Sequence, residues 1–510
     1  MKSTVLKLIR KPHEALMTVL ANEDTILLML AILVGLFSSL GAIGFLEMIK
    51  VFRVIFWSPF GGELTGFAPG DIKVLLIPFL PALGGLIVGP VTNMFPSEAK
   101  GQGVPEVMES VILRGGILRM RTIFIRLFTS ALCIGSGGSA GREGPVAHIG
   151  SAVGSYIAQV FKLSSNNIRT LLGAGAAGAI AATFNAPLAG TLFALEIILG
   201  EWHAAAFSPV IMSSVVATTV ARYLYGNILA FEVPFYQMVN PVEIFFYILL
   251  GILTGAVALL FILTLDQIEE FFKAKVRLPL WAKPALGGLL LGCIGFVFPQ
   301  VFGNGYDFMS VALMGNMGFG LMFSLVFLKI LGTSLTLGSG GSGGVFAPTL
   351  YIGAMVGGTF GSIIHTAFPA VTATQGAYAL VGMGALCGAA CHAPLTAILL
   401  LFEMTGDYHI ILPIMVSCIV SNLTIRGLFP HSIDSLKLYK KGINVKAGVE
   451  TNVLQELKVR EAMTTNVERI PHDMKFGDIV KYVTQSKNTS FPVEDQDGHF
   501  VGILSFQDVR

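Results

Sequence analysis

The chain has 510 residues, of which 54% are hydrophobic and only 13% are charged, and its mean hydropathy is +0.74. This composition excludes an ordinary soluble enzyme and a disordered chain, and it is typical of a polytopic membrane protein. The net charge of +2 is too small to indicate nucleic acid as a partner. The five cysteines lie in apolar segments without paired metal-ligand spacing, so we interpret them as small buried hydrophobes and expect no metal and no cofactor.

The first part of the chain predicts a bundle of membrane helices. The N-terminus is basic first and apolar later, without a small-residue cleavage site, so we expect a cytoplasmic start that leads into the first span. Apolar segments run from about Thr25 to about Phe429, and many are short or interrupted by glycine and proline. Because broken helices are tolerated at membrane depth only where protein or water satisfies the backbone, we expect tilted and partly re-entrant helices.

The topology and the domain limits follow from charge and composition. The basic loop 114–126 predicts a cytoplasmic connection, and an even number of crossings would leave both termini in the cytoplasm. We assign residues 1–430 to the membrane domain, residues 431–454 to a polar linker and residues 455–510 to a cytoplasmic α/β domain. This last segment predicts a short strand, an amphipathic helix and two strands around the turn "EDQDG". It stops abruptly at Arg510, so we expect a truncated chain.

Two glycine-rich blocks recur in the two halves of the membrane domain. "GSGGSAGREGPVAHIG" (135–150) aligns without gaps with "GSGGSGGVFAPTLYIG" (338–353), and a second pair of blocks, ending at Glu196 and Glu403, follows in the same order. Gapless matches in two ordered blocks argue against a chance similarity of Gly/Ala-rich segments. Halves with matching breaks are typical of a transporter whose binding site lies where the broken helices meet.

Each block predicts a helix N-terminus that attracts anions. A glycine-rich loop is followed by a proline, which suits the first turn of a helix. Such an N-terminus presents unpaired backbone N–H groups and the positive end of the helix dipole. Two of them meeting near the midplane would bind an anion without a fixed cation, which would hold the anion too tightly for release.

Three motifs, "GQGVP", "GREGP" and "GVFAP", resemble the filter motifs of the CLC family. This family contains chloride channels, some of them voltage-gated, and proton/chloride antiporters. Their residues are Gly101, Gln102, Gly103, Val104 and Pro105; Gly141, Arg142, Glu143, Gly144 and Pro145; and Gly344, Val345, Phe346, Ala347 and Pro348. The resemblance implies an all-α membrane fold of two inverted-topology repeats. It also implies a homodimer with one pore per subunit that carries chloride, other halides or nitrate.

The resemblance also implies roles for particular residues. Glu143 corresponds to the gating, proton-accepting glutamate, whose ionised carboxylate occupies the anion's place and whose protonated form leaves it. Anion contacts fall to Gln102, Gly103, Arg142, Gly144, Val345 and Phe346. Because neighbouring residues on a helix point in different directions, we do not expect a salt bridge between Arg142 and Glu143. His148 and His392 lie in Gly/Ala-rich segments, and we interpret them as satisfied core residues.

Three positions depart from the family pattern. Gln102 replaces a serine, and its amide can also donate a hydrogen bond to an anion. Asp434 stands in "HSIDSLKL" where a pore tyrosine is expected, and an ionised aspartate there would repel the substrate unless it is rotated away or protonated, or unless the pore is lined differently. Ile197 replaces the inner glutamate of proton-coupled members, and isoleucine cannot relay a proton.

These departures leave two mechanisms open. The first, which Ile197 favours, is chloride transport with weak or absent proton coupling and with Glu143 as a protonatable gate. The alternative is a proton/chloride antiporter in which water, Asp434 or Glu201 replaces the inner relay. Glu196 is as well explained by a structural role at a helix end as by proton handling. A fluoride exporter and a sensor or scaffold rank below both mechanisms.

The setting of the protein is inferred from the same resemblance. We expect a multi-pass protein of a prokaryotic inner (plasma) membrane with chloride, protons and the lipid bilayer as its partners. The terminal domain resembles the first of two paired CBS domains. Half of such a pair cannot form the usual cleft, so adenine nucleotide is expected only at a complete pair.

Overall fold

The computed structural model describes residues 23–58, 75–95, 101–200, 204–227, 236, 238–445, 463, 467–486, 488–505 and 508–509. The chain divides into two compact units, Met1–Val449 and Glu450–Arg510. The described part of the first unit is built from α-helices. Their bounds are α1 Glu23–Trp57, α2 Phe79–Met94, α3 Val104–Leu113, α4 Arg121–Gly135, α5 Glu143–Val160, α6 Ser165–Phe184, α7 Pro187–Phe193, α8 Ala204–Tyr225, α9 Glu243–Ala274, α10 Lys283–Val297, α11 Tyr306–Leu313, α12 Phe319–Gly338, α13 Phe346–Ala367, α14 Gln375–Cys391, α15 Pro394–Thr405, α16 Ile411–Leu428 and α17 Ser435–Lys440.

The first eight helices correspond in order to the next eight. The two halves open with long helices of 35 and 32 residues (α1 and α9) and carry short helices of 10 and 8 residues (α3 and α11) at the matching place. A π-helical turn, Ala194–Leu199, extends α7 in the first half. Six of the described helices are long and apolar enough to cross a membrane. The predicted polytopic all-α fold with repeated halves is confirmed.

Close helix packing explains why the repeated blocks are rich in glycine. A Cβ added to Gly150 on α5 would overlap the carbonyl oxygen of Gly175 on α6. In the second half, a Cβ on Gly353 of α13 would overlap the carbonyl oxygen of Gly382 on α14. Small residues allow membrane helices to approach this closely. The repeat therefore preserves a packing contact as well as the anion-seeking loops.

The cysteines follow the sequence interpretation with one exception. Cys133, Cys387, Cys391 and Cys418 are buried and free, whereas Cys293 is exposed. Cys293 lies on α10, which also exposes large apolar side chains (Leu290, Phe296 and Val297). A membrane helix presents such a face to lipid, where a small apolar residue needs no protein neighbour. The prediction of burial was wrong at this position.

The second unit has the predicted order of elements. β1 (Ile470–Pro471) pairs in parallel with β2 (Ser490–Glu494), which pairs antiparallel with β3 (Phe500–Ser505). The amphipathic helix α18 (Phe476–Gln485) connects β1 to β2. A small core contains Ile470, Val483 and Phe491. Strand, helix and hairpin therefore follow one another as the sequence predicts.

Candidate anion and proton site

The three glycine-rich motifs meet in the interior of the first unit. Gly141 and Gly344 exchange two backbone hydrogen bonds of 2.7 Å, which join the GREGP loop to the GVFAP loop. Gly103 of the GQGVP loop packs against the backbone of Gly144 without space for a Cβ. Helices α3, α5 and α13 begin at these loops, at Val104, Glu143 and Phe346 respectively. Three helix N-termini therefore converge, as the repeat predicts.

The Glu143 side chain lies across this junction. It is fully buried, and its Oε2 accepts a 3.1 Å hydrogen bond from the backbone N–H of Ala347, in the first turn of α13. Its Oε1 accepts a 2.6 Å hydrogen bond from the hydroxyl of Tyr306. A carboxylate from one half of the molecule thus occupies the N-terminus of a helix from the other half, which is where a free anion would be stabilised.

Arg142 is closer to Glu143 than the sequence argument predicts. Its Nε lies 3.8 Å from Glu143 Oε1, within ion-pairing distance but beyond hydrogen-bonding distance. Arg142 precedes the first helical residue of α5, so the rule for neighbours inside a helix does not govern the two side chains. The guanidinium also lies 4.5 Å from the centre of the Tyr306 ring and 5.8 Å from that of Phe184. The expectation that Arg142 and Glu143 diverge was wrong.

Tyr306 is the main site residue that sequence reasoning missed. It is the first residue of α11 and follows Gly305, whose φ of +85° is favoured by glycine. A signal was present, because α11 is the repeat counterpart of α3, and "GNGYD" resembles a glycine-rich helix entry. The tyrosine hydroxyl itself has no counterpart in the GQGVP block. Its contact with Glu143 required the tertiary fold.

The GQGVP and GVFAP loops contain hydrogen-bond donors that have no acceptor among the described residues. Gln102 is 1% exposed, and neither its amide nitrogen nor its oxygen has a hydrogen-bond partner among the described residues. Within that same set, no acceptor is bonded to the backbone N–H of Val345 or Phe346. An amide side chain and two backbone N–H groups therefore remain as donors near the converging N-termini.

Glu106 and Arg126, which the sequence reasoning also missed, support the GQGVP loop. Glu106 accepts a 2.7 Å hydrogen bond from the backbone N–H of Gly103, and so caps the start of α3. The buried Arg126 on α4 donates a 3.0 Å hydrogen bond to the carbonyl of Gly101 and lies 3.8 Å from Glu106. The loop is thus held from both sides. Arg126 belongs to the basic loop region that we assigned only a topological role.

Glu196 and Glu403 perform the same structural task in opposite directions. Glu196 accepts backbone N–H groups of Leu395 (3.3 Å) and Thr396 (2.8 Å) at the start of α15. Glu403 accepts those of Leu188 (3.0 Å) and Ala189 (2.7 Å) at the start of α7. Each carboxylate therefore caps a helix of the other half, and the helix-end interpretation of Glu196 is supported.

Asp434, Glu196 and Ile197 share a cavity of about 430 Å³. Asp434 is 4% exposed, and its Oδ1 has no hydrogen-bond partner within the described part of the chain. Burial, with a smaller contribution from the negative charge of Glu106, raises the pKa of Asp434 to about 7, although the positive charge of Lys437 opposes the rise. The protonated alternative considered for Asp434 therefore has physical support. Glu201 lies outside the described residues.

A larger cavity of about 810 Å³ reaches Gly101. Its lining includes Arg114 and Arg119 of the basic loop and also His148. His148 is buried, as predicted for a core residue, but neither of its ring nitrogens has a hydrogen-bond partner among the described residues, so the prediction that it is satisfied was wrong. The reason is that this buried ring also borders the cavity. His392 instead ends α14 with a φ of +56°.

A possible metal-ligand cluster, among the residues the structure describes, lies far from these motifs in sequence. Asp495, Asp497 and His499 form it on the turn between β2 and β3, where they are half-buried or exposed. Asp495 Oδ1 already accepts the backbone N–H groups of Asp497 and His499, as expected for a tight turn. The cluster is therefore explained by turn geometry.

Two repeated halves of broken membrane helices, with a carboxylate held where their N-termini meet, define a class: an anion transporter or channel built from structural repeats. A family model described as "Voltage gated chloride channel" matches residues 84–426, and a CBS-domain model matches residues 459–510. The chain belongs to the CLC family of voltage-gated chloride channels and their transporter relatives, as its motifs indicate. Members of this family transport anions.

Several relatives are similar over most of the chain. The H(+)/Cl(−) exchange transporter ClcA of Vibrio cholerae is 32% identical over 86% of this chain and 95% of its own length. The putative chloride channel protein ClcB-like of Ralstonia nicotianae is 33% identical over 71% of this chain and 84% of its own. A solved structure of a slow cyanobacterial Cl−/H+ antiporter superimposes with a TM-score of 0.73 at 27% identity, over 81% of this chain and 97% of that one.

Proposed function

We propose that the protein is a proton/chloride antiporter in which Glu143 is both the gate and a proton carrier. The observation that carries the proposal is the buried Glu143 carboxylate at the N-terminus of α13, where it accepts the Ala347 N–H. The sequence alone favoured weak or absent coupling because Ile197 replaces the inner glutamate. The relatives named as exchangers favour coupling instead.

The chemistry follows from competition between the carboxylate and chloride. An ionised Glu143 satisfies the helix N-terminus as an anion would, so it excludes chloride from that position. Protonation removes the charge and weakens its hydrogen bonds, which lets chloride replace it. The proton then leaves when the carboxylate returns. Gln102, Val345 and Phe346 keep unpaired donors that suit the transported anion.

Asp434 is our candidate for the inner proton acceptor. Glu196 is engaged as a helix cap, and Ile197 cannot bind a proton. Asp434 lines the same cavity, and its pKa of about 7 suits a group that gains and loses a proton near neutral pH. The proton would cross from this cavity to Glu143 through water. Asp434 would thereby take the role of the missing inner glutamate, because it lines the same cavity as Ile197.

The orientation and the assembly are proposed from the charge pattern and from family membership. We propose a homodimer in a prokaryotic inner membrane, with both termini cytoplasmic and without a cofactor. The basic loop 114–126 supports the cytoplasmic side. The dimer is supported by family membership alone. Chemical crosslinking in membranes that yields monomer only would contradict it.

Proton movement driven by a chloride gradient tests the function. Purified protein is reconstituted in liposomes, and proton and chloride fluxes are recorded for the wild type, Glu143→Gln and, as a matched control, Glu270→Gln, which removes an exposed carboxylate on α9. We expect uphill proton movement in the wild type and the control, and chloride flux without proton movement in Glu143→Gln. Chloride flux without proton movement in the wild type would identify a channel. An absence of chloride flux at every pH would refute transport.

A further inference from the structure

We propose that Tyr306 is a positioning residue that holds the ionised Glu143 carboxylate in the anion's place and thereby sets the pH at which the pore opens. The proposal rests on the proposed gating role of Glu143. Tyr306 lies outside the three filter motifs and comes from the short helix α11. It joins a fourth element to the junction of α5 and α13.

The geometry allows a strong hydrogen bond. The Tyr306 hydroxyl donates to Glu143 Oε1 over 2.6 Å, and the opposite oxygen, Oε2, accepts the Ala347 N–H. Both carboxylate oxygens are therefore occupied by donors on different helices. A hydrogen bond to an ionised carboxylate in a buried site is stronger than one to a neutral acid. Tyr306 consequently favours the ionised, closed form over the protonated, open form.

The tyrosine is itself held in place. The Arg142 guanidinium lies 4.5 Å from the centre of the Tyr306 ring, in a cation–π arrangement. On the other side, Gly305 packs against the ring of Tyr351 so closely that a Cβ would overlap it, which fixes the start of α11. The first contact restrains the Tyr306 ring and the second restrains the backbone from which it extends. Tyr306 is therefore preorganised to meet Glu143.

The consequence is a shift in the pH dependence of chloride flux. Loss of a charge-assisted hydrogen bond weakens the closed form by about tenfold or more. Because protonation opens the gate, a closed form that is tenfold less stable moves the midpoint of the flux–pH curve upward by about one pH unit. Chloride flux at neutral pH rises accordingly. Proton movement is not needed for this measurement, so the result is independent of whether the protein is coupled.

The test compares Tyr306→Phe with Tyr351→Phe in liposomes over a range of pH. Tyr351 is the matched control because its buried hydroxyl has no hydrogen-bond partner among the described residues. We expect Tyr306→Phe to move the midpoint upward and Tyr351→Phe to leave it in place. A curve for Tyr306→Phe that coincides with the wild type would overturn the proposal.

A second comparison separates positioning from a general structural effect. In a Glu143→Ala background no carboxylate remains for Tyr306 to hold, so adding Tyr306→Phe should leave the chloride flux unchanged. An equal change in both backgrounds would show that the hydroxyl acts on the fold, and the proposal would fail. Loss of the proposed gating itself is read separately: Glu143→Ala would then keep the wild-type pH dependence.

Discussion

Replacing Asp434 by asparagine is expected to stabilise the protein at neutral and basic pH and to leave its stability unchanged in acid. Burial raises the pKa of Asp434 from 3.8 to about 7, whereas in the unfolded chain the carboxyl keeps its ordinary value. The folded state therefore holds the proton more tightly than the unfolded state. The free energy of unfolding consequently falls as the pH rises from about 4 to about 7.

The size of the effect follows from the same pKa. A tenfold difference in proton affinity is worth about 1.4 kcal/mol, so a rise from 3.8 to about 7 corresponds to about 4 kcal/mol. Asp434 is only 4% exposed, so water screens little of this cost. Asparagine has the same size and no charge. The variant should therefore gain up to about 4 kcal/mol above pH 7 and nothing below about pH 4.

Thermal unfolding in detergent, followed by intrinsic fluorescence at about pH 5 and about pH 8, measures this difference. The control is Asp307→Asn, because the Asp307 side chain is 68% exposed and should show no gain that depends on pH. A stabilisation by Asp434→Asn of the same size at both pH values would refute the reasoning. It would mean that the gain does not come from the proton equilibrium of Asp434 and that the pKa of this carboxyl is not raised in the folded protein.

Three further predictions concern the site and its scaffold. Gln102→Leu should lower chloride affinity by about tenfold in a binding titration, because the unpartnered amide is a donor for the anion, and should not lower the melting temperature; unchanged affinity would remove Gln102 from the anion path. Glu196→Gln and Glu403→Gln should each cost about 1–2 kcal/mol of stability by weakening a helix cap, without altering the proton-to-chloride ratio; a changed ratio in Glu196→Gln alone would assign it to the proton path. Gly353→Ala should destabilise the protein by about 1–3 kcal/mol in thermal unfolding, because the added methyl group would overlap the backbone of α14. Gly318→Ala, which has open space around it, is the control and should not destabilise the protein. Equal effects would contradict the close approach of α13 and α14.

The repeat carried most of the correct sequence prediction. Gapless blocks at 135–150 and 338–353 predicted two matching halves, and α5 and α13 begin within them at Glu143 and Phe346. Local chemistry suffices for this result, because glycine-rich loops followed by proline end one segment and start a helix wherever they occur. The order of elements in the second unit was predictable for a similar reason, since strand and helix periodicities are local.

Apart from the exposed Cys293, the failures concern side chains whose neighbours come from distant parts of the chain. Arg142 was expected to diverge from Glu143, yet both turn towards Tyr306. His148 was expected to be satisfied, yet it borders a cavity. Periodicity describes one helix at a time. It contains no information about which residue of a distant helix lies opposite.

The sequence by itself determined a polytopic membrane protein of two repeated halves, its family and its gating carboxylate candidate, because these depend on composition, local helix starts and motif order. Only the tertiary structure decided what touches that carboxylate. The donors to Glu143 come from Tyr306 and Ala347, which lie far along the chain. The aspartate that stands beside the missing inner glutamate, Asp434, is likewise distant from Ile197 in sequence. Long-range packing brings these groups together, and hydrogen bonding and burial then set their chemistry.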